Sequence, residues 1–304
     1  MTKRNKKKLL SAIGSLIIVL LFILFGLLEP NLDKATTQLP KEQSVINLSD
    51  NSKLEILFLD VGQADSILIN NNGEYALIDA GNNEDGKKLV EFFNTLGINN
   101  FKYVIGTHPH EDHIGGMDDI IKNFTIDNFF MPDVITTTKT FEEVLDALLE
   151  KNISFQTPQI NSTFNLADTK FEVLYVGSNQ DDLNDTSIVL KLTYGNTSYL
   201  LMGDATKKVE KELLNKNIKS DVLKVGHHGS EYSSHKEFLE KVNPQYAIIQ
   251  VGKNNTYNHP KQIVLDNLTQ LGAKIYRTDK LGTIVLTSDG EKIELNNKKT
   301  DTNG

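Results

Sequence analysis

The stretch Thr107–Gly116, Thr-His-Pro-His-Glu-Asp-His-Ile-Gly-Gly, constrains this chain more than any other. Three imidazoles and two carboxylates fall between His108 and His113, directly after the apolar run Tyr103-Val104-Ile105-Gly106, which reads as a buried strand. Crowding such groups at a strand end is costly unless a cation gathers them. Neutral imidazole nitrogens and carboxylate oxygens are ligands for zinc and similar divalent ions. Pro109 denies helix to His108, so the chain leaves the strand extended, with His108 and His110 projecting to the same side. Asp112 and His113 then start a turn into a helix, which the Gly115-Gly116 pair allows. The spacing predicts two groups of ligands, His108 with His110 for one ion and Asp112 with His113 for a second. The bland alternative is a polar loop with fortuitous histidines. The chain has seven histidines, however, and two more stand at His227-His228 and one at His259. Only His235 lies outside these places, so its replacement is expected to be silent.

Composition narrows the chemistry. There is no cysteine, which excludes disulfides, thiolate ligands, a lipidated N-terminal cysteine and a cysteine nucleophile. The formal charge of −8 hides an asymmetry, because Lys3, Arg4, Lys6, Lys7 and Lys8 carry all the charge of residues 1–8. Taking those five from the 32 basic residues leaves 27 against 40 acidic, a formal −13 for the remainder. Such a remainder does not resemble a broad phosphate-gripping surface.

Residues 9–28 form an uncharged stretch of twenty residues, long enough to cross the roughly 30 Å hydrocarbon core as a helix. The basic head 1–8 before it predicts a cytoplasmic N-terminus and an external remainder. A cleaved signal peptide shares this layout, but the stretch is long and no small-x-small site follows it, which favours an uncleaved single-pass anchor. Residues 29–52 are polar, contain Pro30 and Pro40, and read as a linker. Residues 53–297 alternate short apolar runs with helical periods, and 298–304 form a tail.

Within that body, Leu54–Leu59, Ser66–Ile69 and Tyr75–Ile78 read as antiparallel strands, with Asn71-Asn72-Gly73 as a hairpin turn. Tyr194-Gly195-Asn196-Thr197 marks a second hairpin. Helices are expected at Lys87–Leu96 and Met117–Phe124, after a Thr140-x-x-Glu143 capping box, from Ala205 to Asn215, after a Ser234-x-x-Glu237 box, and from Pro260 onward. This order suits an α/β chain with two sheets face to face and helices outside.

Several segments together carry a family resemblance. They are Phe58-Leu59-Asp60-Val61-Gly62-Gln63-Ala64-Asp65-Ser66, Leu77-Ile78-Asp79-Ala80-Gly81, Thr107–Gly116, Asn184-Asp185-Thr186-Ser187, Leu201-Met202-Gly203-Asp204, Val225-Gly226-His227-His228-Gly229-Ser230 and Tyr257-Asn258-His259-Pro260. In this order they resemble the metallo-β-lactamase superfamily. Within it they look like the extracellular hydrolase domain of ComEC-type competence (DNA-uptake) proteins and its stand-alone relatives. The resemblance implies an αββα sandwich with one or two divalent ions, Zn2+ or Mn2+, at one edge.

Read from the residues, Asp204 ends an apolar strand, where it would bridge two ions, cap the next helix, or do both. The resemblance points to His227 as a ligand beside Asp112 and His113, with its neighbour His228 facing protein or substrate. Asp79 suits a hydrogen-bond partner of a ligand, and Asp60 is placed in the same supporting role. Gln63 and Asp65 read as parts of a tight turn. Members of the superfamily with a complete first site carry a further histidine before the bridging aspartate, and this chain has none from Ile114 to Met202. Asn184 or Asp185 would then supply an oxygen ligand, or that segment would contact substrate. His259 is a candidate proton donor or phosphate contact, and Lys224 and Ser230 are candidate phosphate contacts.

The functional expectation is a membrane-anchored phosphodiesterase or nuclease facing the cell exterior, catalysed by Asp112, Asp204 and His259, with DNA as a candidate substrate. A cell-wall choline-phosphate esterase and a catalytically silent binding module are the alternatives. Nothing in the sequence indicates a protein partner.

Overall fold

In β1 (Leu54–Phe58) the residues Leu54, Ile56 and Phe58 join one apolar cluster while Leu57 joins another, so both faces of the strand are buried. A strand of this kind belongs in a sheet covered on both sides. The computed structural model, which describes residues 53–178 and 181–296, meets that condition twice. The first sheet has the strand order β15-β14-β1-β2-β3-β4-β5-β6. Its other strands are β2 (Ile67–Asn71), β3 (Glu74–Ile78), β4 (Asn100–Ile105), β5 (Thr125–Phe130), β6 (Phe155–Gln156), β14 (Ile284–Ser288) and β15 (Ile293–Leu295). The second runs β13-β12-β11-β10-β9-β8-β7. Its strands are β7 (Thr163–Leu166), β8 (Thr169–Tyr175), β9 (Val189–Tyr194), β10 (Thr197–Leu201), β11 (Val222–Lys224), β12 (Tyr246–Ile249) and β13 (Lys274–Arg277).

The sheets pack face to face through Ile56, Phe58, Ile78, Ile105, Phe171, Leu190, Tyr199 and Val222. Helices α1 (Gly86–Thr95), α3 (Met117–Asn123) and α4 (Lys139–Glu150) cover the outer face of the first sheet through Phe93, Ile120 and Val144. Helices α5 (Lys207–Leu213), α6 (Lys236–Val242) and α7 (Gln262–Gln270) cover the second through Val209, Phe238 and Leu268. Two short helices, α2 (Glu111–Ile114) and α8 (Thr278–Leu281), and two 3-10 turns, Leu183–Thr186 and Gly226–Gly229, complete the described elements. The layering is the αββα sandwich that the resemblance implies.

Both expected hairpins form, and Asn72 and Gly73 take φ of 54° and 77°, the left-handed pair that a two-residue turn needs. Helix starts differ from expectation. Thr138 rather than Thr140 caps α4, its side chain accepting from the Phe141 amide. Thr206 caps α5, so that helix begins beyond Asp204. The expected Ser234 box does not form, because the Glu210 carboxylate takes the Ser234 and His235 amides instead. Lys261 sits at the cap of α7, which leaves Pro260 outside the helix. No helix among the described residues is long and apolar enough to cross a membrane. The expected anchor 9–28, the linker 29–52 and the tail 298–304 lie outside the described residues.

Candidate metal centre

The parallel runs β3-β4-β5 and β10-β11-β12 bring strand C-termini to one edge of the sandwich. Loops leaving these ends can converge, which is why sites of α/β sheets gather there. Asp79 follows β3, the histidine stretch follows β4, Asp204 follows β10 and His227-His228 follow β11. Gly115 and Gly116 serve this convergence differently from the sequence expectation. Their backbone is ordinary, but a Cβ on Gly115 would lie 2.3 Å from Asn82 C and one on Gly116 2.4 Å from Ala80 O. Close approach to the loop after β3, and not an unusual turn, requires glycine at both.

Asp112, His113, Asp204 and His228 each present one donor atom within 4.8 Å of the other three. His113 Nε2 and Asp204 Oδ1 stand 3.3 Å apart, both buried and neither satisfied by a hydrogen bond. Two orphaned polar atoms facing each other in an interior call for a body that takes both lone pairs. A divalent cation fits that description, and nitrogen and carboxylate oxygen are its proper donors. His108 and His110 form the neighbouring pair, with His108 Nε2 3.0 Å from His110 Nδ1 and the His108 ring 4.1 Å from that of His113.

Each buried imidazole is oriented from behind. The Asp79 carboxylate accepts from His113 Nδ1, the Thr107 amide and the Thr107 hydroxyl, each at 2.8 Å, which leaves His113 Nε2 directed at Asp204. His228 Nδ1 donates to the Gln250 carbonyl at 2.9 Å, and its Nε2 lies 3.2 Å from Asp112 Oδ2 and 3.6 Å from Asp204 Oδ2. Gln250 is itself fixed by two bonds from Nε2 to the Leu59 and Ser66 carbonyls. Beneath His228, Asp65 and Lys224 form a fully buried ion pair at 2.7 Å, with Asp65 Oδ1 3.4 Å from His228 Nδ1. Asp79, His227 and His228 have φ of 58°, 50° and 51°. Left-handed backbone in non-glycine residues costs on the order of 1–3 kcal/mol each and persists where surrounding bonds over-determine it.

Carboxylates dominate the field at the two histidines of the four-donor group. Burial opposes a charge on His113, but the carboxylates of Asp204, Asp79 and Asp112 outweigh it and hold the imidazole well above its ordinary pKa. His228 is likewise raised, with burial overcome by Asp204 and Asp65. Burial would lift Asp204, but His113 and His228 outweigh it and keep the carboxylate ionised far below its ordinary value. His108 lies well below the ordinary histidine value through burial and the neighbouring His113. Carboxylates that draw protons onto buried histidines also provide the field that binds a cation.

Most of the expected site residues meet here, and several take other places than the sequence indicated. His228, not His227, enters the four-donor group. His227 stands at the rim, a quarter exposed, with Nε2 3.7 Å from Asp204 Oδ2. Lys224 does not reach a phosphate: its side chain is wholly buried and its ammonium is spent on Asp65 and the Val225 carbonyl. Ser230 is buried, and its hydroxyl accepts the Tyr232 amide. Asp60 is exposed and only braces its own turn, accepting the Gly62 amide, so Asp65 takes the supporting place given to it. Asp185 is tied to Thr206 and Lys208, whereas Asn184 Oδ1 is a buried acceptor without a partner. His259 packs edge-on against His227 with ring centres 5.9 Å apart. Burial and the nearby His227, His228 and Lys261 bring its pKa down to about 4, so at neutral pH it is a hydrogen-bonding group and not a store of protons. His235 is not the isolated histidine of the sequence reading, because its Nδ1 bonds the fully buried Glu210. Gln250 had no signal beyond its place at the end of an apolar strand.

A family model described as the metallo-beta-lactamase superfamily matches residues 59–253, which spans every donor named above. The chain belongs to the metallo-beta-lactamase superfamily. This is a fold of metal-dependent hydrolases that bind divalent metals, and the four side chains that meet at this edge are candidate ligands. Among curated relatives, ComE operon protein 3 of Bacillus subtilis is 34% identical over 254 residues, covering 77% of this chain and 33% of its own length. Competence protein ComA of Neisseria gonorrhoeae is 29% identical over 74% of this chain and 31% of its own length. Recombination protein 2 of Haemophilus influenzae is 27% identical over 80% and 30%. The chain therefore spans about a third of these relatives. Among solved structures, YhfI of Bacillus subtilis, a metallo-beta-lactamase fold protein, superposes with a TM-score of 0.56 at 11% identity, over 78% of this chain and all of that one. CmlA, a diiron β-hydroxylase from Streptomyces venezuelae, superposes with 0.51 at 12% identity, over 74% and 52%. At such identities the superpositions speak for the fold alone.

Proposed function

We propose that this metallo-beta-lactamase domain is a phosphodiesterase or nuclease that faces the cell exterior, held at the membrane by residues 9–28. The observation that carries the reading is the Asp204 carboxylate. Its Oδ1 lies 3.3 Å from His113 Nε2, while its Oδ2 lies 3.6 Å from His228 Nε2 and 3.7 Å from His227 Nε2. Both oxygens thus face the histidines of one ion, and the approach of the His108 ring to within 4.1 Å of the His113 ring sets a second donor pair beside the same carboxylate, which is suited to serve both. His108 and His110 would hold one, with Asn184 Oδ1 as an oxygen donor, and Asp112, His113 and His228 the other, with His227 at the rim. An oxygen donor in place of a histidine accommodates Mn2+ as well as Zn2+. When bound, such a pair supplies Lewis-acid stabilisation to the oxygens of a phosphoryl group during displacement.

The protein's own contribution is orientation. Asp79 and the Gln250 carbonyl fix the outward nitrogens of His113 and His228, and His259 offers a neutral ring at the rim for a phosphate or leaving-group oxygen. Likeness to a named competence protein supports a nucleic-acid substrate. Charge limits its form. Arg277 is spent bidentately on Asp279, Lys280 lies 3.9 Å from the same carboxylate, Lys274 sits over the Tyr246 ring, and Lys261 is 4.0 Å from Glu231. Duplex binding relies on several free cations, so single strands or short phosphodiesters are the preferred substrates.

The test uses the full chain in detergent with Mn2+ or Zn2+, assayed on a chromogenic phosphodiester, single-stranded DNA, duplex DNA and a phosphocholine ester at two salt concentrations. Metal-dependent cleavage of the small diester and single strands ahead of duplex is expected. Cleavage of the phosphocholine ester with both DNAs untouched at low salt would replace the nuclease reading with a cell-wall esterase.

A further inference from the structure

Arg277 and Lys280 are held at Asp279 and Lys261 lies 4.0 Å from Glu231, while Lys253 is exposed on the loop before His259, so a nucleic-acid strand meets few cations here and gains from a further means of attachment. Tyr257 provides one. Its side chain is 62% exposed, and its ring lies nearly parallel to that of His259, with centroids 5.7 Å apart and planes 19° off. His259 in turn packs edge-on against His227, whose Nε2 is 3.7 Å from Asp204. Two ring-to-ring steps thus separate an open aromatic face from the donor cluster.

The loop that carries Tyr257 is held rather than loose. Asn255 accepts the His259 amide and donates to the carbonyls of His259 and Gly252. The Gly252 amide donates to Gln63 Oε1, and the Lys261 amide to the Gly229 carbonyl, which ties the loop to the turn after β1 and to the His227-His228 turn. An exposed tyrosine on a braced loop keeps its orientation without paying for it when a ligand arrives.

We propose that the open face of Tyr257 is a stacking platform for the base of the nucleotide that flanks the phosphodiester engaged at the metal centre. This rests on the phosphodiesterase reading above and names the substrate feature that its rim selects. A quaternary ammonium such as choline is the other chemistry that an aromatic ring attracts, but it is favoured by several rings set around it. Here one face of Tyr257 is covered by His259, leaving a single flat face, which suits a planar base. Every base has such a face, so the platform tolerates any sequence and requires an unpaired strand.

The test uses the metal-loaded full chain and a short phosphorothioate oligonucleotide with one 2-aminopurine flanked by abasic sites, so that the protein is the only stacking partner. Binding should quench the 2-aminopurine emission in wild type and in Tyr257→Phe, and leave it unquenched in Tyr257→Ala. Cleavage of single-stranded DNA by Tyr257→Ala should fall about 5- to 100-fold in kcat/KM, chiefly through KM, as expected for losing one stacked base. Cleavage of an all-abasic oligonucleotide should be unchanged. Absence of quenching in wild type, or equal losses on the abasic and base-bearing strands, overturns the platform even if the enzyme cleaves DNA. Tyr257-dependent quenching in a protein that cleaves no nucleic acid would instead uphold the platform and remove the phosphodiesterase reading. Loss of phosphocholine-ester cleavage in Tyr257→Ala with DNA cleavage intact would assign the ring to an ammonium group.

Discussion

The two sides of the metal centre are built in opposite ways. The side fed by the first sheet is contiguous: His108, His110, Asp112 and His113 lie within six residues, and one carboxylate, Asp79, together with Thr107 aligns the innermost ring. The side fed by the second sheet is assembled from distant positions. Asp204 and His228 come from different strand ends, and His228 is supported by the Gln250 carbonyl and underlain by the buried Asp65–Lys224 pair. Donors delivered by one short loop need one orienting partner. Donors delivered separately need a framework, and here it includes a buried charge pair and two consecutive left-handed histidines.

The largest effect should come from Asp204→Ala, the residue that both sides share. Because Thr206 caps α5, the change does not remove a helix cap. Metal content by elemental analysis should fall and turnover should drop below detection, while the far-ultraviolet circular dichroism is kept. Near-normal turnover would show that the two sides do not depend on a common carboxylate.

Next in size is the framework of the second side. Lys224→Met leaves Asp65 charged and buried without its partner, which costs about 3–5 kcal/mol in similar pairs. Urea unfolding should show that loss, and Asp65→Asn added to it should recover most of it. If the single change is tolerated within about 1 kcal/mol, the pair is not the support that its burial implies.

Asp79→Asn tests the contiguous side and should be milder. Losing the carboxylate behind a ligand typically costs 10–100-fold in metal affinity, measurable by chelator competition, without removing a donor. A loss equal to that of Asp204→Ala would erase the contrast between the sides.

The smallest effect concerns the rim. His259 has a folded pKa of about 4 against an ordinary 6.5, so between these values the unfolded chain binds more protons than the folded one. Stability linked to this ring is complete above about pH 6.5 and is lost as the pH falls towards 4. His259→Asn should therefore narrow the difference between unfolding midpoints at pH 7 and pH 5. An unchanged difference would assign the acid sensitivity to the buried donors.

Local pattern carried much of this protein. Alternating apolar residues buried on both faces require a sheet covered on both sides, and Asn72-Gly73 admits the left-handed turn that closes the first hairpin. The contiguous ligands were legible because one loop after one strand delivers them, so their spacing is their geometry. Helix starts were less legible, since Thr138 and Thr140 offer the same chemistry and only packing chooses between them, while at Ser234 a carboxylate from another helix displaced the expected box. The choice between His227 and His228 could not be read from the sequence either. Adjacent identical residues differ only in where a strained turn points them, and that turn is closed by the Ser230 amide on the His227 carbonyl and fixed by Gln250 and Gly203 from two other strand ends. Lys224 makes the same point for charge. A lysine beside two histidines suggests a phosphate contact, yet with its side chain pointing inward at Asp65 it becomes part of the foundation, because the charge of a buried ammonium is balanced by a carboxylate 159 positions away in the chain.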